Sequence, residues 1–285
     1  MDIGGQGESW WADELIDVAG DLLNYVGIHM MQQRPRRSDS ILRGFDYTED
    51  RNRAWAELLE IYQTLEPRLL AIEELLDRKN TPAGIAITEG HLSLRPRNAC
   101  PILYEWIAGL YHAKVLNLYQ RHGERVRMAT IADFFGNRWT VNAIMIGGPS
   151  QTPFLMPAGI VAGLYRKHIG DYAVDVAQSS PILDVAASRT GDTIYLHVIN
   201  DQLKQDQSAE LSVCGLPITE FTAWQIAPDS LATYVDYDRP EALRPTKIQA
   251  DCLGNGVVSM TFPAASVTVC ELRVGSMGRG ASCRG

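Results

Sequence analysis

The sequence predicts an α/β region followed by an all-β region. As far as about residue 170, short apolar runs alternate with longer stretches in which apolar residues recur every three or four positions. Beyond Asp171 the segments are short, β-prone and separated by turn residues such as "RTGD" and "LGNG". With 46% hydrophobic and 21% charged residues among 285, the composition is that of a folded globular protein.

The first region has the element order of parallel βα units. Strands are predicted at Leu23–Met31, in "GIAITEG", and as one buried strand at Val126–Phe134. Helices are predicted from Pro101 to Gln120 and within "FLMPAGIVAGLYRKHIG". A further amphipathic helix, which Pro67 should kink or split, is predicted from the spacing of Leu58, Ile61, Leu65, Leu69, Ile72 and Leu76. Three or four such units make about half of an eight-stranded barrel.

The second region is predicted to be a β-sandwich. Its β-prone segments are "ILDVAAS", "TIYLHVIND", "AELSVCG", "FTAWQIA", "TKIQADC", "VVSMTFP" and "SVTVCELRV". In "VSMTF" the apolar Val258, Met260 and Phe262 alternate with polar residues, as a half-buried strand requires. The predicted organisation is a partial barrel over residues 1–170, a sandwich over 171–275 and a flexible tail over 276–285.

Charge and composition limit the partners and the compartment. The net charge of -8 and the pI near 5.3 argue against nucleic acid, because phosphate binding needs clustered Lys and Arg. No apolar run approaches the ~20 residues that span a bilayer and no secretory signal is visible, so we expect a cytoplasmic protein without membrane contact. The five cysteines lack metal-ligand spacing; we expect reduced thiols, no metal site and no cofactor.

Polar side chains stand at the ends of three predicted strands. Glu89 follows "GIAIT", His29 follows "YVGI", and Asp133 follows "MATIA". In a parallel barrel, the residues at the carboxyl ends of the strands line one mouth, where active sites form. A polar residue at a strand end is also common simply because the chain is leaving the core. The matched positions nevertheless favour a shared site.

Several motifs, in order along the chain, resemble the C-terminal half of the α-L-arabinofuranosidases of glycoside hydrolase family 51. They are "GIAITEGHLSL", "AGLYHAKVLNLYQRHG", "VRMATIADFFGNRW", "PFLMPAGIVAGLYRKHIGD", "PILDVAASRTGDTIYLHVIND" and "FPAASVTVCELRV". The resemblance implies the C-terminal part of a (β/α)8 barrel joined to a β-sandwich. It also implies a retaining hydrolase that releases terminal arabinofuranose, with an arabinofuranoside-containing saccharide as its substrate.

The resemblance assigns roles to individual residues. Glu89 matches the nucleophile at the end of the seventh barrel strand, and His29 matches a histidine at the end of the sixth. The family usually has a tyrosine where this chain has Met31, and a glutamine that contacts the sugar where it has Asp133. His29 and Asp133 are therefore expected to bind substrate. The same is expected of three further residues, His91, Asn137 and Trp139.

The partner carboxylate of a retaining mechanism is not apparent. The family carries its acid/base in a Gly-Asn-Glu motif after the fourth strand, and no such motif occurs here. Glu8 is a weak candidate because its position fits the loop after the fifth strand. We therefore expect a C-terminal fragment with little activity of its own on natural arabinosides. The incomplete barrel and the family resemblance also favour a homo-oligomer.

Two alternatives remain open from the sequence. One is another retaining clan A glycosidase, such as a β-xylosidase or an endoglucanase. The other is a non-catalytic product, a truncated chain or pseudo-enzyme whose sandwich packs on a barrel or binds carbohydrate weakly.

Overall fold

The computed structural model describes residues 10–33, 35, 37–179, 181–248, 252–253 and 256–275. In these ranges the helices are α1 (Trp10–Ala19), α2 (Arg51–Tyr62), α3 (Leu65–Arg78), α4 (Trp106–Arg121) and α5 (Pro157–Lys167). The strands as far as residue 174 are β1 (Tyr25–His29), β2 (Gln32–Gln33), β3 (Gly84–Glu89), β4 (Leu92–Ser93), β5 (Val126–Ala129), β6 (Asp133–Gly136), β7 (Asn142–Met145), β8 (Phe154–Leu155) and β9 (Tyr172–Val174). The remaining strands are β10 (Asp184–Thr190), β11 (Thr193–Asn200), β12 (Gln207–Leu211), β13 (Ile218–Ile226), β14 (Thr246–Ile248), β15 (Cys252–Leu253), β16 (Val257–Phe262) and β17 (Ser266–Val274).

A parallel sheet forms the centre of the N-terminal region. Its strand order is β1-β3-β5, with α2 and α3 between the first two strands and α4 between the last two. Val26 and Ile28 of β1 and Ile85 and Ile87 of β3 are buried, because helices cover the sheet. Successive βα units confirm the predicted α/β class and make a partial barrel.

The predicted amphipathic helix is split, as expected, but the break precedes Pro67. Helix α2 ends at Tyr62 and α3 begins at Leu65. Pro67 then lies in the first turn of α3, where its missing N–H has no intrahelical partner to lose. The six apolar residues that predicted the helix are all buried.

The expected single buried strand at Val126–Phe134 is wrong in two respects. The segment forms β5 and the start of β6, and only Val126 of β5 is buried. Thr130 follows the last residue of β5, and its N–H and its Oγ1 both donate to the carbonyl oxygen of Ile87, at 2.9 and 3.3 Å. In the described part of the chain β5 pairs with β3 alone, which leaves its other side exposed.

The C-terminal region consists of antiparallel β-sheets. The larger sheet has the order β14-β13-β17-β11-β10-β9 and the smaller one β12-β16-β15. Every segment predicted to be a strand contains one, and β9 was not predicted. Val258, Met260 and Phe262 of β16 are buried between exposed neighbours, which confirms the predicted alternation.

The state of the cysteines is only partly as expected from the sequence. Cys214 is disulfide-bonded, which contradicts the expectation of reduced thiols, whereas Cys100 and Cys270 are free and buried.

No helix in the described ranges combines the length and apolar character needed to cross a bilayer. Helix α5 ends at Lys167 and β9 begins at Tyr172. The boundary after residue 170 itself stays a prediction.

A buried ion cluster joins α4 to the sandwich. Lys114 Nζ donates to Asp184 Oδ2 at 2.9 Å and to Asp201 Oδ2 at 2.8 Å. Asp184 Oδ1 also accepts from Arg121 Nη1 at 2.7 Å and from Asn117 Nδ2 at 3.0 Å. Burial opposes ionisation of Asp184, but the two cations prevail and hold its pKa below the usual value.

The first turn of α4 is also held by the C-terminal region. The backbone N–H of Trp106 donates to the carbonyl of Thr233 at 2.7 Å, and that of Ile107 donates to Leu231 at 3.1 Å. The indole Nε1 of Trp106 donates to the carbonyl of Ala265 at 2.6 Å. These bonds satisfy helix N–H groups that have no partner within the helix.

Buried histidines make the fold sensitive to acid. Burial lowers the pKa of His112 from 6.5 to about 4 and that of His197 to about 3. The unfolded chain binds protons at these residues below about pH 6.5, so their stabilising contribution is lost as the pH falls from there toward 4 and 3. Acidifying from about pH 7 to about pH 5 should lower the free energy of unfolding by about 2 kcal/mol for each histidine. Urea denaturation at the two pH values measures this loss.

The matched variant for this experiment is His197→Phe. The His197 ring stacks on Tyr165 with centroids 4.0 Å apart, so an aromatic replacement keeps the contact and removes the titration. The variant should lose about half of the pH dependence. Stability that stays constant from about pH 7 to about pH 4 would contradict the prediction, because the buried histidines would then take up no protons on unfolding.

Candidate active site

An irregularity in the parallel sheet brings Glu89 beside His29. Ile28 pairs with Ile87, but the next residue, His29, pairs with Glu89, so Thr88 is an extra residue in β3. A bulge of this kind re-aims the side chains that follow it. It aligns the ends of β1 and β3 so that the carboxylate and the imidazole meet.

Each carboxylate oxygen of Glu89 faces a different histidine. Its Oε2 lies 3.1 Å from His29 Nδ1, and its Oε1 lies 3.7 Å from His91 Nδ1. About a third of the side chain is exposed for both Glu89 and His29, at 34% and 33%. The carboxylate is therefore held on one side by His29 and is accessible to solvent on the other.

The chain beyond Glu89 is held by the neighbouring segment. The N–H of Met30 donates to the carbonyl of Glu89 at 2.7 Å, and the N–H of Gln32 donates to that of His91 at 3.1 Å. Strands β2 and β4 continue this parallel pairing. His91 thus has a defined backbone position although it lies outside a strand.

Gly90 allows this segment to approach the end of β5. A Cβ at Gly90 would lie 2.7 Å from the carbonyl oxygen of Thr130, which is too close for any side chain. Sequence reasoning did not single out Gly90 or Thr130. The signal available for Gly90 is a glycine directly after a polar strand end, which often marks a close backbone approach.

Asp133, the first residue of β6, also lies beside His91. Its N–H donates to the carbonyl of Val141 at 3.0 Å, and its Oδ1 lies 3.6 Å from His91 Nδ1. The ligand atoms of Glu89, His91 and Asp133 all lie within 4.8 Å of one another. The structure therefore brings together His29, Glu89, His91 and Asp133, although Asp133 begins β6 and does not end the preceding strand.

His91 is the buried member of this group. Its side chain is 2% exposed, whereas that of Asp133 is 29% exposed. Burial lowers the pKa of His91, and the carboxylates of Asp133 and Glu89 oppose that change. A neutral imidazole between two carboxylates is thus favoured near neutral pH.

The described part of the structure gives no hydrogen bond or ion pair between the other predicted site residues and this group. Asn137 and Trp139 are exposed in the loop between β6 and β7, and Trp139 is 44% exposed. No hydrogen bond or ion pair of the described residues joins them to Glu89. Glu8 lies outside the described residues. The substrate-binding role of Asn137 and Trp139 stays a prediction.

Comparison with solved structures shows where this architecture recurs. A family 51 arabinofuranosidase from Xanthomonas axonopodis pv. citri is 17% identical, with 95% of this chain and 57% of that chain covered and a TM-score of 0.72. An α-L-arabinofuranosidase from Thermotoga maritima, in complex with arabinose, is 19% identical, with 95% and 57% covered and a TM-score of 0.70. CelM2, a bifunctional glucanase-xylanase from a metagenome library, is 18% identical, with 93% and 47% covered and a TM-score of 0.58.

These similarities establish the fold, and the chain spans somewhat more than half of the two arabinofuranosidases. The comparison with curated proteins gives no match. Residues 98–266 match the family model of the α-L-arabinofuranosidase C-terminal domain. Since that match covers more than half of the chain, the protein belongs to the family of α-L-arabinofuranosidase C-terminal domains.

Proposed function

We propose that this chain is the C-terminal part of a retaining α-L-arabinofuranosidase and that Glu89 is its nucleophile. The observation that carries the proposal is the position of Glu89 at the carboxyl end of the central strand β3, paired with His29 at 3.1 Å. A nucleophilic carboxylate must be ionised, oriented and open to solvent on one side. Glu89 meets the last two requirements, since His29 holds one oxygen and 34% of the side chain is exposed.

The chemistry assigned to Glu89 is a double displacement. A carboxylate oxygen of Glu89 attacks the anomeric carbon of a terminal arabinofuranose, and the bond from that carbon to the leaving oxygen breaks. A general acid gives the leaving oxygen its proton. Water then attacks the glycosyl ester, releases arabinose and restores the carboxylate, so the anomeric configuration is retained.

We place the general acid outside the described residues. Asp133 has an oxygen within 4.8 Å of Glu89, but the buried His91 ring faces both carboxylates, at 3.7 Å from Glu89 and 3.6 Å from Asp133. Retaining enzymes hold their two carboxyl groups about 5 to 5.5 Å apart across the scissile bond. Asp133 and His91 instead form one wall of the sugar site.

The family model supports arabinofuranose over other sugars, because it is that of an α-L-arabinofuranosidase domain. A xyloside-cleaving or glucan-cleaving enzyme is the second candidate, and the experiment below separates the two.

The test is covalent trapping with 2,4-dinitrophenyl 2-deoxy-2-fluoro-α-L-arabinofuranoside. Its leaving group departs without protonation, and the fluorine slows hydrolysis of the ester, so the chain should become labelled even without its general acid. Intact-mass spectrometry should show one fluoroarabinosyl group, and peptide sequencing should place it on Glu89. The matching fluoroxyloside is the control donor.

Each outcome decides between the candidates. Labelling of Glu89 by the arabinoside alone supports the proposal. Faster labelling by the xyloside would show that the enzyme prefers xylosides as substrates. Label on another carboxylate would show that Glu89 has been misassigned. Absence of label from both donors would support a non-catalytic chain.

A further inference from the structure

The imidazole of His91 is buried without a hydrogen bond. Its side chain is 2% exposed, and within the described part of the chain neither ring nitrogen has a hydrogen-bond partner. Nδ1 instead faces Glu89 Oε1 at 3.7 Å and Asp133 Oδ1 at 3.6 Å. These distances are too long for hydrogen bonds, and an unsatisfied buried polar group is costly. The three side chains converge on one point.

The spacing of the nitrogen and the two carboxylate oxygens suits a small cation. A tetrahedral Zn²⁺ with bonds of about 2.0 to 2.2 Å places its ligand atoms about 3.3 to 3.6 Å apart. The two nitrogen–oxygen separations are 3.6 and 3.7 Å, and all three ligand atoms lie within 4.8 Å. To complete the coordination, the two carboxylate oxygens, which lie within 4.8 Å of each other, would approach to about 3.6 Å.

The surroundings support Glu89 as a ligand. His29 Nδ1 contacts Glu89 Oε2 at 3.1 Å, so Oε1 remains the oxygen that faces His91. Metal-bound carboxylates and imidazoles commonly have a second partner of this kind, which fixes their orientation. Glu89 and Asp133 are 34% and 29% exposed, which gives a cation access from solvent.

We propose that Glu89, His91 and Asp133 bind one divalent transition-metal ion of the Zn²⁺ class, with a fourth position open to water. One imidazole nitrogen with two carboxylate oxygens suits Zn²⁺, Co²⁺ or Ni²⁺, whereas Ca²⁺ takes six to eight oxygen ligands. A bound ion occupies the Glu89 oxygen and excludes the sugar from it. The site therefore acts as a reversible metal block on Glu89.

The sequence predicted no metal site because its three ligands follow no short spacing motif. Glu89 and His91 are two residues apart, and Asp133 comes from a separate segment. They come together where β3 has its bulge at Thr88 and where Gly90 approaches Thr130. The inference goes beyond the proposed function and does not require the chain to be catalytic.

The test is calorimetric titration of the full chain with ZnCl₂ near neutral pH, after treatment with a chelator. We expect one site, with affinity reduced at least about tenfold in His91→Ala and in Asp133→Asn, as befits the loss of a direct ligand. A Co²⁺ titration adds a spectroscopic readout, since four-coordinate Co²⁺ absorbs far more strongly in the visible than the hydrated ion. Circular dichroism verifies that each variant is folded.

His122→Gln is the matched control. His122 also lies between two carboxylates, with Nδ1 3.0 Å from Glu73 and Nε2 3.5 Å from Glu66, but it already has a hydrogen bond to Glu73. Its replacement should leave the affinity unchanged. An absence of saturable Zn²⁺ binding overturns the proposal, as does binding that His91→Ala leaves intact or that His122→Gln weakens equally.

A combined measurement separates this inference from the proposed function. Trapping of Glu89 by the fluoroarabinoside should slow as ZnCl₂ is added and recover with chelator. If the chain binds Zn²⁺ but is not labelled, the metal-site proposal stands and the assignment of Glu89 as nucleophile is wrong. Label that forms at the same rate with saturating Zn²⁺ would show that the ion does not occupy Glu89.

Discussion

Replacing Glu89 with alanine is expected to lower hydrolysis of 2,4-dinitrophenyl α-L-arabinofuranoside by about 10⁴-fold or more, because removal of a catalytic nucleophile eliminates the covalent route. Added azide should restore turnover by occupying the space left by the carboxylate. A single displacement inverts the anomeric carbon, so the product should be the β-arabinofuranosyl azide. Release of dinitrophenolate gives the rate, and NMR gives the anomeric configuration.

The chain offers a matched control for this prediction. Glu73 and His122 form a second carboxylate–histidine pair with a separation of 3.0 Å, close to the 3.1 Å between Glu89 and His29. Glu73→Ala should leave the rate unchanged, since the pair lies on α3 and the end of α4. Full activity in Glu89→Ala would remove Glu89 from the mechanism.

Lys114→Met is expected to lower the free energy of unfolding by about 3 to 5 kcal/mol, the range found when one member of a buried ion pair is removed. Methionine preserves most of the apolar stem but leaves the carboxylates of Asp184 and Asp201 without their shared cation. Lys114 is 7% exposed, so water does not readily replace the ammonium. Urea denaturation followed by circular dichroism measures the loss.

Lys79→Met is the control for burial. Lys79 Nζ contacts both carboxylate oxygens of Asp17 at 2.7 Å, as short as the Lys114 contacts, but the Asp17 side chain is 59% exposed. Solvent can rehydrate that carboxylate, so the loss should be much smaller than for Lys114. Equal losses in the two variants would contradict the role given to burial.

Much of the fold follows from local patterns in the sequence. The buried residues of α2 and α3 recur at helical spacing, and β16 alternates strictly, because one face of each element packs on the core. The end of β5 was not predictable in this way. The strand is fixed by its pairing with β3, and the next residue, Thr130, is bonded to Ile87, which is 43 residues away in sequence.

The candidate site was predictable in its members but not in its arrangement. The strand ends indicated that His29, Glu89 and Asp133 would lie together, and they do. Their contacts depend on the register between β1 and β3, where Thr88 is the extra residue. No local pattern encodes that register. For the same reason the role of His91 as the bridge between two carboxylates became visible only in three dimensions.

The bonds between the start of α4 and the C-terminal region have a consequence for how this protein can change in evolution. The N–H groups of Trp106 and Ile107 depend on carbonyls of Thr233 and Leu231, more than a hundred residues later in the sequence. The sandwich is therefore not a freely exchangeable module, because replacing it would remove the carbonyl groups that accept hydrogen bonds from the first turn of α4. We therefore expect that recombination at the linker after α5 would destabilise both regions.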